Sequence, residues 1–397
     1  MLAAGVVGKP NVGKSTFFAA ATLANVAIAN FPFTTIDANR GVAYVRAPCP
    51  HTDLGRPCNP QNSACDGGTR LIPVELIDVA GLVRGAHEGR GRGNQFLDDL
   101  RQAAVLIHVV DAAGATDAEG SPVAPGTHDP AEDVAFLEEE VHHWMAGILE
   151  KGWERTARLL DQEGRKIEEL IHERVAGLGI SRGQAMAALR EHPPPAKASA
   201  WKGDDFMAVA QALQRLGKPI LIAANKCDLA DREAVERIDE AAGGEVFPTA
   251  AEMELALRRA DRAGVVRYAL GAGSFEVLKA EALSAAQVAG LEKIRAFLGA
   301  WGSTGVQRVL EHAVFERLRL IPVYPVEDEG KWTDKDGNVL PHAHLVPEGA
   351  TARDLAFKVH TDLGEHFIRA IDARARRVVG ADHALKAGDV VKIVAGK

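Results

Sequence analysis

The sequence is poor in cysteine and aromatic residues and has no long hydrophobic run. Four cysteines among 397 residues are too few to hold so long a chain together, which excludes a fold defined by disulfides. The apolar run at 103–110 is interrupted by His108 and is shorter than the about 20 apolar residues of a transmembrane helix. The N-terminus lacks the basic leader and the cleavage region of a signal peptide. We therefore expect a cytoplasmic protein with no membrane partner.

Neither sign of charge is in large excess. Forty-six Lys and Arg residues stand against 54 Asp and Glu residues, a net charge of −8, so any contact with nucleic acid must be local. Hydrophobic residues make up 47% and charged residues 25% of the chain, which is ordinary for a globular protein and excludes disordered and collagen-like chains. At about 100 to 200 residues per domain, the length predicts two or three domains.

Four short apolar runs, at 2–7, 71–77, 105–110 and 220–224, are each followed by turn or polar residues and then by a helical pattern. Buried parallel strands joined by crossover helices have this pattern. We therefore predict an α/β domain with a mostly parallel sheet and helices on both faces.

The stretch 132–190 interrupts this pattern, because its apolar residues recur at helical spacing and it contains no strand candidate. Three consecutive prolines, Pro193 to Pro195, cannot continue a helix, and a shorter helix near 206–216 leads back to the sheet. We predict an inserted helical subdomain.

Beyond about residue 303 the sequence changes to short strands and turns around one helix, predicted at 351–363. This is typical of a small mixed domain. The predicted division is 1–130 for the first part of the α/β domain, 131–217 for the helical insert, 218–302 for the second part, and 303–397 for a linking helix and the small domain.

A glycine-rich loop joins the first predicted strand to the first predicted helix. Its pattern, Gly8-x4-Gly13-Lys14-Ser15, has the strand, loop and helix context that a phosphate-binding loop requires. Backbone N–H groups can surround phosphates there, Lys14 can reach the terminal phosphates and Ser15 can hold magnesium. The predicted nucleotide-binding residues of this loop are Gly8, Asn11, Val12, Gly13, Lys14, Ser15 and Thr16.

Two short motifs follow other predicted strands. In the first, residues 78–81, the Asp78 carboxylate can bind magnesium through water and the Gly81 N–H can sense the γ-phosphate. In the second, Asn225-Lys226-Cys227-Asp228, the Asp carboxylate can accept both N1–H and the 2-amino group of guanine, which adenine does not offer. A site built to bond these groups rejects a base that lacks them. The second motif therefore favours GTP over ATP.

Six runs of the sequence form a recognisable family pattern. They are GKPNVGKST at 8–16, NFPFTT at 30–35, DVAGLV at 78–83, GAHEGRGRGNQFL at 85–97, GSTG at 302–305 and LAFKVHTDLG at 355–364. Together they resemble the YchF family of Obg-related P-loop nucleotidases over essentially the whole chain, with the last run similar to that family's TGS domain, a β-grasp module. The helical insert and Asp228 resemble the archaeal branch, whereas bacterial and eukaryotic members typically have Glu there and prefer ATP.

The resemblance implies roles for several residues. Thr35 is expected to ligate magnesium when the γ-phosphate is present, with Thr34 as the neighbouring alternative. Asn11 matches an asparagine that helps to coordinate potassium in related GTPases, and a loop-capping side chain is the alternative. Where many GTPases have a base-contacting Ser-Ala-Lys, this sequence has Thr249-Ala250-Ala251-Glu252, and backbone N–H groups, that of Ala250 among them, are expected to contact the base.

Leu82 occupies the position where Ras-like enzymes have the glutamine that orients the attacking water. Because leucine cannot do this, another group must assist hydrolysis. The resemblance points to His108 as the catalytic histidine, and a core histidine bonded to a carbonyl is the alternative. His87 is a second, weaker candidate.

Cys49, His51, Cys58 and Cys65 lie in an insertion rich in Pro, Asn and Gly. They have the side chains of a zinc site, but their spacing is irregular for a knuckle that pairs its ligands at two to four residues. A surface loop carrying free thiols is therefore the favoured interpretation.

Residues 358–397 contain eight Lys and Arg and five Asp and Glu, a local charge of +3, with Arg369, Arg374, Arg376 and Arg377 close together. A solvated helix end and loop is one interpretation, and the TGS resemblance favours contact with RNA or the ribosome.

We therefore expect a slow GTPase that acts as a nucleotide-dependent switch at the ribosome, with Mg2+ and a possible role for K+ as cofactors. One alternative is an ATP-hydrolysing member of the same family. The other is an RNA-binding or ribosome-binding protein that uses the nucleotide structurally.

Overall fold

The computed structural model describes residues 2–23, 39–79 and 99–396. The described residues divide into two compact units, the first made of 2–23, 39–41, 75–79 and 99–309, and the second of 42–74 and 310–396. In the part of the chain that is described, no helix has both the length and the apolar character needed to span a bilayer.

The main sheet contains seven of the described strands. They are β1 (Ala3–Val7), β2 (Arg40–Pro48), β3 (Ala64–Asp66), β4 (Thr69–Asp78), β5 (Val105–Asp111), β6 (Ile220–Asn225) and β7 (Val246–Pro248). Their order is β2-β4-β1-β5-β6-β7, and β3 pairs with β4. Strand β1 is parallel to β4 and β5, and β5, β6 and β7 are parallel to one another. The predicted α/β class is confirmed. The four predicted strands form at their expected places because each is an apolar run that is mostly buried.

Helices surround this sheet. They are α1 (Lys14–Thr22), α3 (Pro130–Glu150), α4 (Trp153–Glu163), α5 (Ile167–Val175), α6 (Arg182–Glu191), α7 (Gly203–Gly217), α8 (Arg232–Ala242), α9 (Ala251–Arg262), α10 (Ala285–Trp301) and α11 (Val306–Glu311), with the short helix α2 (His51–Leu54) in the second unit. A small antiparallel pair, β8 (Val266–Arg267) with β9 (Glu276–Val277), lies between α9 and α10.

The helical insert forms where the sequence predicts it, as α3 to α7. Local signals set its helix starts: Asp129 caps α3 by accepting the Ala131 N–H, and Ser181 and Gln184 form a capping box on α6. Its buried side chains form one continuous cluster with Leu106 of β5. The insert therefore shares the hydrophobic core of the sheet.

A second sheet lies in the C-terminal part of the second unit. Its strands are β10 (Leu320–Val326), β11 (His344–Pro347), β12 (Phe367–Asp372), β13 (Arg377–Val379) and β14 (Val390–Ala395), in the order β11-β10-β14-β12-β13. Strands β10 and β14 are parallel, whereas the other pairings are antiparallel. Leu355 packs with Val323 and Val391 in the core of this sheet. This is the mixed sheet with one main helix that a β-grasp module has, as expected.

The helix predicted at 351–363 is two helices, α12 (Ala352–Val359) and α13 (Thr361–Glu365). They are separated by His360, whose backbone is extended with φ −161° and ψ 140°. The reason is local, because the His360 side chain accepts the Asp362 N–H and so caps the second helix.

Candidate nucleotide-binding site

The glycine-rich loop 8–13 has the backbone shape of an anion cradle. Gly8, Asn11 and Gly13 have positive φ values of 143°, 61° and 98°. A Cβ on Gly8 would lie 2.5 Å from the Val109 carbonyl oxygen, and one on Gly13 would lie 2.3 Å from the Asn225 Nδ2. These two positions therefore require glycine for both backbone conformation and space.

Helix α1 begins directly after this loop. Gly13 is its N-terminal cap and supplies no side-chain hydrogen bond, so the first-turn N–H groups point to the cradle without a side-chain acceptor. The Lys14 Nζ donates to the Lys9 carbonyl at 2.9 Å. Burial lowers the pKa of Lys14, and the charge of Asp78 partly opposes this shift. Lys14 thus lies folded against the loop, with its ammonium group at the cradle.

Ser15 and Asp78 bring two oxygen ligands together at the same place. The Ser15 hydroxyl donates to the Asp78 carboxylate at 3.2 Å. Burial raises the pKa of Asp78, while the Ser15 hydrogen bond and the Lys14 charge lower it. Hydroxyl and carboxylate oxygens are the ligands that Mg2+ prefers, so the residues present fit this ion.

Thr34, Thr35, Gly81, Leu82 and His87, for which the sequence predicts or considers roles, lie outside the described residues.

Asn225, the last residue of β6, connects the phosphate loop to the start of α9. Its Nδ2 donates to the Val12 carbonyl at 2.9 Å, and its Oδ1 accepts the Ala251 N–H at 3.0 Å. The Lys226 ammonium forms an ion pair with the buried Asp111 carboxylate at 2.7 Å. Asp228 is exposed at the end of this segment, where a ligand can reach its carboxylate.

The Ala250 N–H donates to the Thr304 carbonyl at 2.9 Å. With the Ala251 N–H bonded to Asn225, both backbone donors at this position already have acceptors. The expected base contact through Ala250 therefore requires a rearrangement of these bonds, and the assignment stays a prediction.

The sequence did not identify a buried ion pair beside the phosphate loop. The Lys9 ammonium lies 2.7 Å from the Asp133 carboxylate and donates to the Thr116 carbonyl at 3.0 Å, and His128 Nε2 lies 2.9 Å from Asp133. Lys9 is 4% exposed. Lys9 lies inside a tight loop, which suggests that its ammonium group needs an acidic partner. No sequence signal, however, identifies Asp133, which is 124 residues away.

Asn11 Nδ2 donates to the Gly120 carbonyl at 2.9 Å. This bond ties the phosphate loop to the segment after β5 and is the loop-capping contact that the sequence leaves open for this residue. The potassium role of Asn11 stays a prediction.

His108 lies on β5, opposite Val7 of β1, and is 2% exposed. Burial, together with the charges of Lys14 and Lys9, lowers its pKa to about 3. Its Nδ1 is buried without a hydrogen-bond partner. Its Cδ2 lies 3.5 Å from where a Cβ on Gly8 would be. The imidazole is therefore neutral and lies under the phosphate loop, while its catalytic role stays a prediction.

In the second unit, the structure brings Cys49, His51, Cys58 and Cys65 together, with their ligand atoms within 4.8 Å of one another. Cys49 is 1% exposed. This differs from the surface loop of free thiols that the spacing favours, because the β3–β4 hairpin returns Cys65 to the other three residues.

The predicted arginine cluster is only partly available to a ligand. Arg374 pairs with Asp53 and lies over the Trp332 ring, and Arg377 lies 3.8 Å from Asp372. Arg369 and Arg376 are exposed. The ion pairs remove part of the local positive charge that the sequence suggests.

Three family models match the chain. One described as a 50S ribosome-binding GTPase matches residues 3–144, one described as the G4 motif-containing domain of an Obg-like GTPase matches 223–328, and one described as the TGS domain matches 332–395. A GTP-binding protein of Methanocaldococcus jannaschii is 50% identical, with 98% of each chain covered. The chain belongs to the YchF family of Obg-related P-loop nucleotidases.

Two further similarities agree with YchF membership. The ribosome-binding ATPase YchF of Escherichia coli O157:H7 is 28% identical, with 98% of each chain covered. The crystal structure of a GTP-binding protein from Pyrococcus horikoshii OT3 is 43% identical, with a TM-score of 0.80 and 100% of each chain covered. The similarity to this relative therefore extends over the whole length of the chain.

Proposed function

We propose that this protein binds GTP with Mg2+ at the phosphate loop and hydrolyses it slowly. The observation that carries the proposal is the convergence of the loop 8–13, Lys14 and the Ser15–Asp78 pair at one end of the parallel sheet. Open α/β sheets bind ligands at the carboxyl ends of their strands. The names of the M. jannaschii and P. horikoshii relatives, both GTP-binding proteins, agree with the proposal.

Within this proposal Ser15 and Asp78 would hold Mg2+, with Thr35 as a further ligand. The ion would neutralise charge on the phosphates when bound. Lys14 would exchange its bond to the Lys9 carbonyl for phosphate oxygens, and the N–H groups of the loop would donate to the same phosphates. K+ near Asn11 is the second proposed cation.

Guanine recognition rests on Asp228. Its carboxylate offers two acceptors, and Asn225 fixes the start of the segment against the phosphate loop. The E. coli relative is named an ATPase, so ATP is the second candidate nucleotide. Asp228 favours GTP because adenine has no donors to match both carboxylate oxygens.

For hydrolysis we propose that neutral His108 positions the attacking water. Its pKa of about 3 makes the imidazole a poor proton acceptor at neutral pH. A bound triphosphate would offset the Lys9 and Lys14 charges that contribute to this shift. The Cδ2 edge of the ring faces Gly8, and the buried Nδ1 has no hydrogen-bond partner, so this nitrogen has the capacity to hydrogen-bond a water.

We further propose that the nucleotide state controls binding to the ribosome or its RNA through the TGS domain and the helical insert. The relatives named as ribosome-binding support this partner. In the region that matches the TGS model, Arg369 and Arg376 are exposed, and Ile368 and Val378 expose 61% and 64% of their surface. These side chains offer charge for phosphate and apolar contact area.

The deciding experiment is a titration of the purified protein with GTP and, separately, with ATP. Both titrations contain Mg2+ and are done once in Na+ and once in K+. Turnover assays with and without ribosomes follow. The proposal predicts tighter GTP binding and turnover that rises with ribosomes. If ATP binds as tightly as GTP, the result would favour the alternative that the protein hydrolyses ATP. Turnover unchanged by saturating ribosomes would favour a ribosome-binding protein for which the nucleotide is structural.

A further inference from the structure

Four metal-ligand side chains converge in the insertion between β2 and β4. Cys49 directly follows β2, His51 is the first residue of α2, Cys58 lies in the following loop and Cys65 lies on β3. Two backbone features close the insertion: Gly55 ends α2 with a φ of 70°, and the Cys49 N–H donates to the Gly68 carbonyl at 2.8 Å.

Three of the distances between ligand atoms in this cluster match the edges of a tetrahedral metal site. The sulfurs of Cys49 and Cys58 lie 3.8 Å apart, and the His51 Nδ1 lies 3.3 Å from the Cys58 sulfur and 3.5 Å from the Cys65 sulfur. With zinc–sulfur bonds of about 2.3 Å and zinc–nitrogen bonds of about 2.0 Å, a tetrahedron has edges of about 3.8 Å and about 3.5 Å. A disulfide would require the sulfurs to be about 2.05 Å apart.

A buried cation next to the cluster supplies an independent observation. Arg70 pairs directly with Cys65 across the β3–β4 hairpin and is 0% exposed. Its guanidinium donates to neutral acceptors, the Ser63 hydroxyl and the Leu340 carbonyl, and lies 5.3 Å from the centre of the Tyr324 ring. A buried cation requires a compensating negative charge. One Zn2+ with three thiolates and one imidazole carries a net charge of −1.

We propose that Cys49, His51, Cys58 and Cys65 bind one structural Zn2+ ion. Three thiolates and one imidazole fill all four tetrahedral positions, which is the composition of a structural rather than a catalytic zinc site. Soft thiolate ligands select zinc over Mg2+, so this ion is separate from the one proposed at Ser15 and Asp78.

The site holds a loop that contacts the C-terminal segment of the same unit. The Asn59 N–H donates to the Val339 carbonyl at 3.1 Å, the Gln61 N–H donates to the Pro341 carbonyl at 2.7 Å, and Asn62 Nδ2 donates to the Ala343 carbonyl at 3.0 Å. These three residues lie between Cys58 and Cys65. Zinc therefore fixes the loop on which the 339–343 segment rests.

The first test needs no variant. The full-length protein, purified under reducing conditions and dialysed against metal-free buffer, is analysed for metals by mass spectrometry. The expected result is one zinc per chain. The proposal would be overturned by a protein that holds no zinc and takes up none when zinc is added, or by one that carries iron at this stoichiometry.

The second test assigns the ligands. Cys58→Ser and His51→Ala are expected to lose at least most of the bound zinc, whereas Cys227→Ser, which changes the one cysteine outside the cluster and keeps a donor for the Ala224 carbonyl, should retain it. Cobalt added to the zinc-free wild type should give the visible bands of a tetrahedral thiolate site. Full zinc content in both cluster variants, or an octahedral cobalt spectrum, would contradict the assignment. If either variant fails to fold, the cobalt spectrum of the wild type decides.

Discussion

The side-chain amide of Asn225 donates to the Val12 carbonyl at 2.9 Å, so the end of β6 is bonded directly to the phosphate loop. The same side chain accepts the Ala251 N–H at 3.0 Å. One buried asparagine at the end of β6 thus bonds both the phosphate loop and the first residue of α9. Because both bonds are buried, their loss would leave unsatisfied polar groups and loosen the attachment between these segments.

Lys14→Ala and Ser15→Ala are expected to weaken GTP binding by at least about tenfold, near 1.4 kcal/mol, because each removes a proposed phosphate or Mg2+ contact. Neither side chain belongs to the buried core, so the melting temperature without nucleotide should change little. Calorimetric titration and thermal unfolding check the two expectations. Unchanged affinity and turnover in both variants would refute the phosphate-loop assignment.

Asp228→Asn and Asp228→Glu are expected to reduce the ratio of GTP to ATP affinity, because the first removes one acceptor and the second displaces the carboxylate. Parallel titrations with both nucleotides measure the ratio. Asp231→Asn is a matched control, since Asp231 lies in the same segment and caps α8. If the wild type binds ATP as tightly as GTP, Asp228 does not read the base.

The sequence predicts the parts of this molecule that are set by local pattern. The strand, loop and helix at the N-terminus follow from an apolar run, glycines at positions of positive φ, and helix formers. The parallel sheet follows from four such apolar runs. These signals are contained in short windows, so distant residues do not alter them.

The contacts that sequence analysis missed are made by residues that only the folded chain brings together. The spacing of Cys49, Cys58 and Cys65 argues against zinc, yet a hairpin brings the ligands to one point. Lys9 and Asp133 meet only because helix α3 starts beside the phosphate loop. The single helix predicted at 351–363 is broken by one capping side chain, His360. Each of these three features depends on where the fold places distant residues or on the geometry of one side chain, and neither can be inferred from a short sequence window.

Asp133→Ala is expected to lower the free energy of unfolding by about 3 kcal/mol, because it leaves the buried Lys9 ammonium without its carboxylate. Chemical denaturation measures the change. Glu154→Ala is the matched control, since its pair with Arg158 is exposed and 3.9 Å long, and it should change stability by less than about 1 kcal/mol. Similar small effects in the two variants would show that the buried pair contributes little.

The lowered pKa of His108 predicts that the stability of the protein depends on pH. Its pKa lies at about 3 in the folded protein against an ordinary value of 6.5, so the unfolded chain binds more protons between these values and stability falls as the pH falls through that window. Between pH 7 and pH 5 the wild type should lose about 2 kcal/mol more stability than His108→Gln, which does not titrate. Denaturation curves at the two pH values measure the difference. Parallel losses in both proteins would contradict the shifted pKa.

His108→Ala is expected to lower the single-turnover rate of GTP hydrolysis by at least about tenfold, near 1.4 kcal/mol of barrier, with little change in GTP affinity. The reason is that the neutral imidazole under the phosphate loop is the group proposed to position water. Ile107→Ala, on the same strand and 0% exposed, is the control, because it should lower stability by leaving a cavity without slowing the reaction per folded molecule. Melting temperature and single-turnover rate are measured on the same preparations. A His108→Ala protein that is destabilised to the same extent as Ile107→Ala but hydrolyses GTP at the wild-type rate would show that His108 is a core residue without a catalytic role.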